Sequence, residues 1–185
     1  MKIRLKIIAI LLVLNGILCF PSIMAYFVRQ EKVSNELIMP EVSCVINETF
    51  NGQEKKSVTV KNTSDIKAYI RVKIIHHWVD SKGAPVGLKS ELEAFGLAPN
   101  WKKIGDNYYY YTLPVDPSTA PIEMLGVNQS IQLDNPVHIV EGDITFDYYH
   151  AVEIYAEAIQ ADPTSTVSDV WNVAVNGNGT ITGAK

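Results

Sequence analysis

The sequence predicts a mainly β protein, an antiparallel β-sandwich with short helices in its connections, and three observations within one stretch carry that expectation. Val58 and Val60 alternate with Ser57, Thr59 and Lys61, the period-2 pattern of a half-buried strand. A longer alternation follows, with Ile66, Ala68, Ile70, Val72 and Ile74 on one face and Lys67, Tyr69, Arg71 and Lys73 on the other. A strand with one apolar and one charged face belongs to an antiparallel sheet covered on one side. Between the two runs lies Asn62-Thr63-Ser64-Asp65, four residues whose short side chains bond their own backbone in turns. The stretch from Ser57 to Val79 therefore reads as a hairpin around which the rest of the chain is arranged.

The remaining elements follow in order. Val42, Cys44 and Ile46 alternate in a strand over Val42 to Phe50, and Asn51-Gly52 is a strong turn signal after it. His76-His77-Trp78 marks an expected bend, because a straight strand from Ile66 to Val79 is longer than most. Leu88, Leu92 and Phe95, with Gly96 behind them, are spaced for a short helix. Trp101 and Ile104 begin a strand, Gly105-Asp106-Asn107 turns it, and Tyr108 to Tyr111 places two tyrosines on each face. Ile131 with Leu133, and Val137 to Val140, predict further strands. His150 to Gln160 satisfies both periods, and the β character elsewhere favours a strand. Thr164 or Ser165 is placed to cap a short helix carrying Val167, Val170 and Trp171. Asn176-Gly177-Asn178-Gly179 opens an expected flexible tail.

The chain has 185 residues, enough for one domain and a leader, and its formal net charge is −4. Removal of a leader over 1–25 takes away Lys2, Arg4 and Lys6 and no acid, leaving a more acidic domain. That balance argues against a nucleic-acid partner, which demands a basic footprint. Of the two cysteines, Cys19 lies in the leader, so the remainder keeps Cys44 alone and has no internal disulfide. Cys44 sits in an apolar alternation and reads as a buried, inert thiol.

Met1 to Lys6 is basic, Ile7 to Phe20 is apolar apart from Asn15 and Gly16, and Ala25 is a small residue at a cleavage position. This is the three-part plan of a secretory signal peptide, cleaved between Ala25 and Tyr26. The uncharged run from Ile7 to Phe27 is also long enough to serve as an uncleaved membrane anchor. The resulting organisation is a signal peptide over 1–25, an N-terminal arm over 26–40, a β-sandwich over 41–175 and a tail over 176–185.

Catalytic motifs are missing. The only imidazoles are His76, His77, His138 and His150, and no HExxH places two of them on one helix face. His76 and His77 are adjacent on a strand and point to opposite faces. His150, near Asp143 and Asp147, is expected in a solvated loop. GxSxG, a P-loop and a dinucleotide fingerprint are also absent. No cofactor is expected, and the chain is not read as an enzyme.

Several motifs in sequence order resemble one family. Ala25-Tyr26-Phe27 at the leader's end is followed by Lys61-Asn62-Thr63 with Ala68-Tyr69-Ile70-Arg71-Val72, and then by Asp106-Asn107-Tyr108-Tyr109-Tyr110-Tyr111 with Leu113-Pro114. Ala156-Glu157-Ala158-Ile159-Gln160-Ala161 and Val170-Trp171 close the set. Together they are similar to the SipW-dependent, TasA/camelysin-like exported proteins of Gram-positive bacteria. Two departures stand out: Val28-Arg29 replaces an acidic position, and Thr63-Ser64 replaces a Thr-Gly turn. The resemblance implies a jelly-roll sandwich, release by a SipW-type signal peptidase, and a place in the extracellular matrix or cell surface. It also implies self-association into fibres, or association with related matrix subunits, when the freed arm adds as a strand to the next subunit. On this chain the arm would be Tyr26 to Ile38, with Tyr26, Phe27, Val28, Val33, Leu37 and Ile38 as its apolar contacts. Contact with a membrane would be through the leader alone, before cleavage. The camelysin name also implies a secreted metallopeptidase, and an uncleaved leader would make a membrane-anchored binding module instead.

Overall fold

The structure, a computed structural model, describes residues 41–185. The leader and the arm, with the cleavage position Ala25/Tyr26 and the contacts Phe27, Val28, Val33, Leu37 and Ile38, lie outside the described residues. What is described is mainly β, with two antiparallel sheets face to face and a small additional hairpin.

One sheet is built on β2 (Glu54–Asn62), which pairs with β1 (Cys44–Phe50), with β7 (Ile122–Glu123) and with β8 (Ile131–Gln132). Asn51-Gly52 forms the expected β1–β2 turn. Gly52 takes a φ of 97°, and Asn51 Oδ1 accepts the amides of Gln53 and Glu54 at 3.1 and 2.9 Å.

The second sheet runs in the order β5 (Trp101–Lys103), β6 (Tyr108–Tyr111), β3 (Ala68–Asp80), β10 (Ile144–Gln160) and β9 (Val137–Glu141). A two-residue β4 (Pro85–Val86) folds back on the end of β3. The β3–β10 ladder is continuous from Ala68↔Gln160 to Asp80↔Tyr148. His76-His77-Trp78 does not end the strand, because a full-length partner holds all thirteen residues of β3 in register. His150 to Gln160 is a strand, as the β character favoured.

The two runs of the Ser57–Val79 stretch do not pair with each other. β2 belongs to the first sheet and β3 to the second, so Asn62-Thr63-Ser64-Asp65 is a corner between layers rather than a hairpin turn. Asn62 shows why the chain crosses there. It is 1% exposed, and its Nδ2 donates to the carbonyls of Ile66 (2.9 Å) and Val115 (2.8 Å), while its Oδ1 accepts the amide of Ser64 (2.9 Å). An asparagine spends its donors and acceptors here on backbone that turns away from both sheets.

Val58 and Val60 from the first sheet meet Ile70, Val72, Ile74, Tyr109 and Val152 from the second, with Met124, Leu125 and Ile131 between them. Trp101, from the second sheet, donates its indole N–H to the carbonyl of Glu123 in the first at 2.8 Å. The opposite face of the second sheet is not simply solvated. Tyr69 and Tyr110 pack there with Val167, Trp171, Val173 and Ile181 in a second core.

This cover comes from α1 (Thr164–Val170) and the hairpin of β11 (Val173–Val175) with β12 (Ile181–Ala184). The expectation of a flexible tail over 176–185 is corrected. Asn176 to Gly179 is the hairpin turn, and Ile181 returns to the core at 1% exposure. The N-cap of α1 is Pro163, without a side-chain cap bond, so neither Thr164 nor Ser165 caps the helix as expected. The helix expected around Leu88 to Phe95 is also absent. The segment has no regular structure, and Leu92 and Phe95 instead lean on the main core from an irregular strap.

Candidate functional site

Two features of the second sheet stand apart from simple packing. The first is an unpaired edge. β9 covers β10 only from Ile144 to Tyr148, so Tyr149 to Gln160 has no hydrogen-bonded strand on that side among the described residues. Among the described residues β1 is likewise paired on one side only, with β2.

These two open edges approach each other. Glu157 lies close enough to the Cys44 thiol to raise its pKa, and at the other end Phe50 lines a cleft with Tyr149 and His150. β1 and β10 thus run alongside in opposite directions without sharing a ladder. Along this seam the inward-facing side chains Cys44, Ile46, Ile154, Ala156 and Ala158 pack against the core but remain only partly buried. Their counterparts one strand further in, Val60, Ile70 and Val72, are wholly buried. Among the described residues the two edges meet along this seam without hydrogen-bonding to each other. Burial, followed by the Glu157 carboxylate, pushes the Cys44 thiol up to about 11, so it stays protonated at neutral pH, consistent with an inert thiol.

The second feature is a hydrogen-bonded chain of two imidazoles and one serine. β3 and β10 place Trp78 directly opposite His150, and His76 two residues away on the same face. Trp78 stacks on His150 with centroids 5.2 Å apart. The amide of Asp134 donates to His150 Nδ1 at 2.9 Å. A backbone N–H can only donate, so that nitrogen is an acceptor and Nε2 carries the hydrogen. His150 Nε2 then donates to Ser90 Oγ at 2.8 Å, and Ser90 Oγ lies 2.7 Å from His76 Nδ1, to which the hydroxyl donates when that nitrogen carries no hydrogen.

His150 is therefore buried within a strand, not in the solvated loop expected of it. Desolvation is the main cause lowering its pKa, the charges of His76 and His77 act in the same direction, and the Asp134 carboxylate opposes them.

Ser90, His150 and Asp134 superficially resemble a nucleophilic triad. The Asp134 carboxylate oxygen lies 3.3 Å from His150 Nδ1. The polarity runs the wrong way, however. With Nδ1 accepting the amide hydrogen, Nε2 offers Ser90 a proton instead of removing one. A groove of about 480 Å³ beside Ser90 is lined by Ile74, His76, Leu92, Phe95 and Tyr109.

His138 lies apart, bonded to Asp147 on the exposed β9–β10 hairpin at 2.6 Å. His77 is on the other face from His76, as adjacent strand residues must be. Among the described residues, no three His, Cys, Asp or Glu side chains are gathered as a metal-ligand set. Among the same residues, no helix is long and apolar enough to cross a membrane.

The tyrosine run divides between the two cores, with Tyr109 at 7% exposure in one and Tyr110 at 3% in the other. Ser90 and Asp134 carried no sequence signal, since each lies in an irregular connection and neither belongs to a periodic pattern. Compared with known proteins, the chain matches no family model, no curated protein and no solved structure.

Proposed function

We propose that this is a secreted structural protein of a Gram-positive bacterial cell surface or biofilm matrix, assembling into fibres by strand addition. In this reading a SipW-type signal peptidase releases the chain at Tyr26. The arm Tyr26 to Ile38 of one copy then lies along the open edge between β1 and β10 of the next. The observation that carries the reading is that unpaired seam with its half-covered apolar lining.

An exposed edge is normally blunted by charge, a bulge or a covering element, because unpaired N–H and C=O groups recruit any extended chain. Here the inward-facing lining of the seam is apolar, so an added strand gains side-chain burial together with main-chain hydrogen bonds. The lengths also agree. Tyr26 to Ile38 extends to about 40 Å, as does the open part of β10 from Tyr149 to Gln160.

The test is to secrete the protein from a host carrying a SipW-type peptidase, determine its first residue by mass spectrometry and image the sample by electron microscopy. A start at Tyr26 with filaments, both retained in the wild type and the filaments lost when 26–38 is deleted, is the expected result. Filaments that persist without the arm contradict strand addition, and an intact Met1 to Ala25 on the released protein contradicts the processing step.

A further inference from the structure

The strap between β4 and β5 is held to the sheet in an unusual way. Around Gly87 to Phe95 it has no regular secondary structure, and its side chains Leu92 and Phe95 cover part of the main core, with Phe95 5.5 Å from Tyr109. Its polar attachments are few. Trp78 donates its indole N–H to the Lys89 carbonyl at 3.1 Å, and Ser90 is held between His150 and His76. Two of the side chains that grip the strap are thus imidazoles, and both are neutral in the hydrogen-bonding pattern described above.

We propose that the strap 87–95 is a pH-sensitive latch whose catch is the Ser90 hydroxyl held between His76 and His150. The chain of donors runs one way, from the Asp134 amide through His150 and Ser90 to His76, and it ends on a lone pair of His76. A proton added to His76 Nδ1 takes that lone pair. Ser90 Oγ then faces an N–H from each ring, and its own hydrogen has lost its acceptor.

A proton added to His150 Nδ1 turns it toward the Asp134 carboxylate at 3.3 Å and leaves the Asp134 amide facing another donor. Two imidazolium rings with centroids 6.1 Å apart also repel. A single added proton leaves Ser90 Oγ accepting a charge-assisted bond, so the catch is released by the second proton, which sets two like charges against each other across one hydroxyl whose hydrogen has no acceptor. With the catch released, Leu92 and Phe95 can lift from the groove they overlie, uncovering Ile74 and Tyr109.

The charged groups around the latch come from four places. Lys89, Glu91 and Glu93 lie on the strap itself, Lys103 and Asp106 line the same groove from β5 and its turn, Asp134 comes from the connection after β8, and His77 from β3. Lys89 and Glu91 are paired with each other. Of these groups, only the imidazoles belong to a class that ordinarily gains charge between pH 7.5 and 5.

The test is hydrogen exchange followed by mass spectrometry at pH 7.5 and pH 5.0, corrected for the intrinsic rate, on protein recovered from cells expressing the complete chain. Peptides over 87–95 should exchange at least tenfold faster at pH 5.0, while peptides within the β3–β10 ladder change less than twofold. Ser90→Ala should raise exchange of the strap at pH 7.5 to the level the wild type reaches at pH 5.0. His76→Gln, which keeps a hydrogen-bond acceptor without a titratable ring, should reduce the pH effect to threefold or less, and His77→Gln on the other face should leave it unchanged. Equal protection of the strap at the two pH values overturns the proposal. So does a Ser90→Ala strap as protected as the wild type at pH 7.5, or a pH effect that survives His76→Gln in full.

Discussion

Arg71 shows how much one side chain can join. Its Nε and Nη2 donate to the same oxygen of Glu157 at 2.8 and 2.6 Å, and its guanidinium lies 4.3 Å from the Tyr108 ring and 4.7 Å from Trp171. A flat, delocalised cation can stack and donate at once, which an ammonium cannot. Arg71→Lys should therefore lower stability by about 1–2 kcal/mol, the scale of lost stacking and charge-assisted bonds, in chemical denaturation. Asn62→Ala leaves the Ser64 amide unpaired in a buried corner, while the Ile66 and Val115 carbonyls keep the Ser64 hydroxyl and the Ala68 amide, and it should cost about 1–3 kcal/mol in the same measurement.

His150 gives a pH dependence whose sign follows from its lowered folded-state pKa. The unfolded chain binds the proton more readily, so this contribution is complete above the unfolded pKa and is lost as pH falls through it toward the folded one. Melting temperature should fall between about pH 7 and pH 5, and His150→Gln should flatten that slope; an unchanged slope would show that another group carries it. The sequence disclosed Asn62 as a turn residue but not its burial. His150 was misplaced because the acids near it in sequence, Asp143 and Asp147, suggested a loop, whereas its partners come from Ser90 and Asp134, 60 and 16 residues away.

At the scale of elements, periodicity was legible wherever one face of a strand met the main core. β1, β2, β3 and β6 fall where alternation places them, and Val58, Val60, Ile70, Val72 and Ile74 are the core residues that alternation selects. Partner choice was not legible. The same turn-forming cluster serves a hairpin or a corner, and only the distant Val115 carbonyl, bonded to Asn62, distinguishes them.

The helix expected at Leu88 to Phe95 failed for a related reason. Leu92 and Phe95 are three apart, which suits a helix, but an irregular strap anchored by Ser90 turns both toward the core as well. The tail was misread because glycine and asparagine signal turns and flexible ends alike, and Tyr69, on the face expected to be polar, needs the β11–β12 hairpin as cover. Tyr69 donates its hydroxyl to the Gly179 carbonyl at 2.7 Å. Ending the chain at Val175 should expose Trp171 and Tyr69 and lower the melting temperature by more than 10 °C, and Ile181→Ala alone should cost about 2–4 kcal/mol. A truncated protein melting with the wild type would show that the hairpin only decorates the sheet.

The described residues form a sandwich in which β1 and β10 run side by side along one seam without pairing. Its second sheet is covered on both faces at the end bearing Tyr69 and Tyr110, and its interior is wholly buried around Val60, Val72 and Met124. Against that background the row of Ile46, Ile154, Ala156 and Ala158 is only partly covered, and in the assembly proposed above the added strand would cover it. Fold class was legible because it follows from alternation summed over many strands. The seam was not, since an unpaired edge is defined by what fails to lie beside it, and no single residue encodes that.

The most direct test of the assembly reading is hydrogen exchange on the secreted protein, comparing β1 and the stretch from Tyr149 to Gln160 in the monomeric and filamentous fractions. The account predicts strong added protection of both edges in filaments, with little change in β6, whose neighbours β3 and β5 are already in place. Filaments in which β1 and Tyr149 to Gln160 exchange as freely as in the monomer would contradict it.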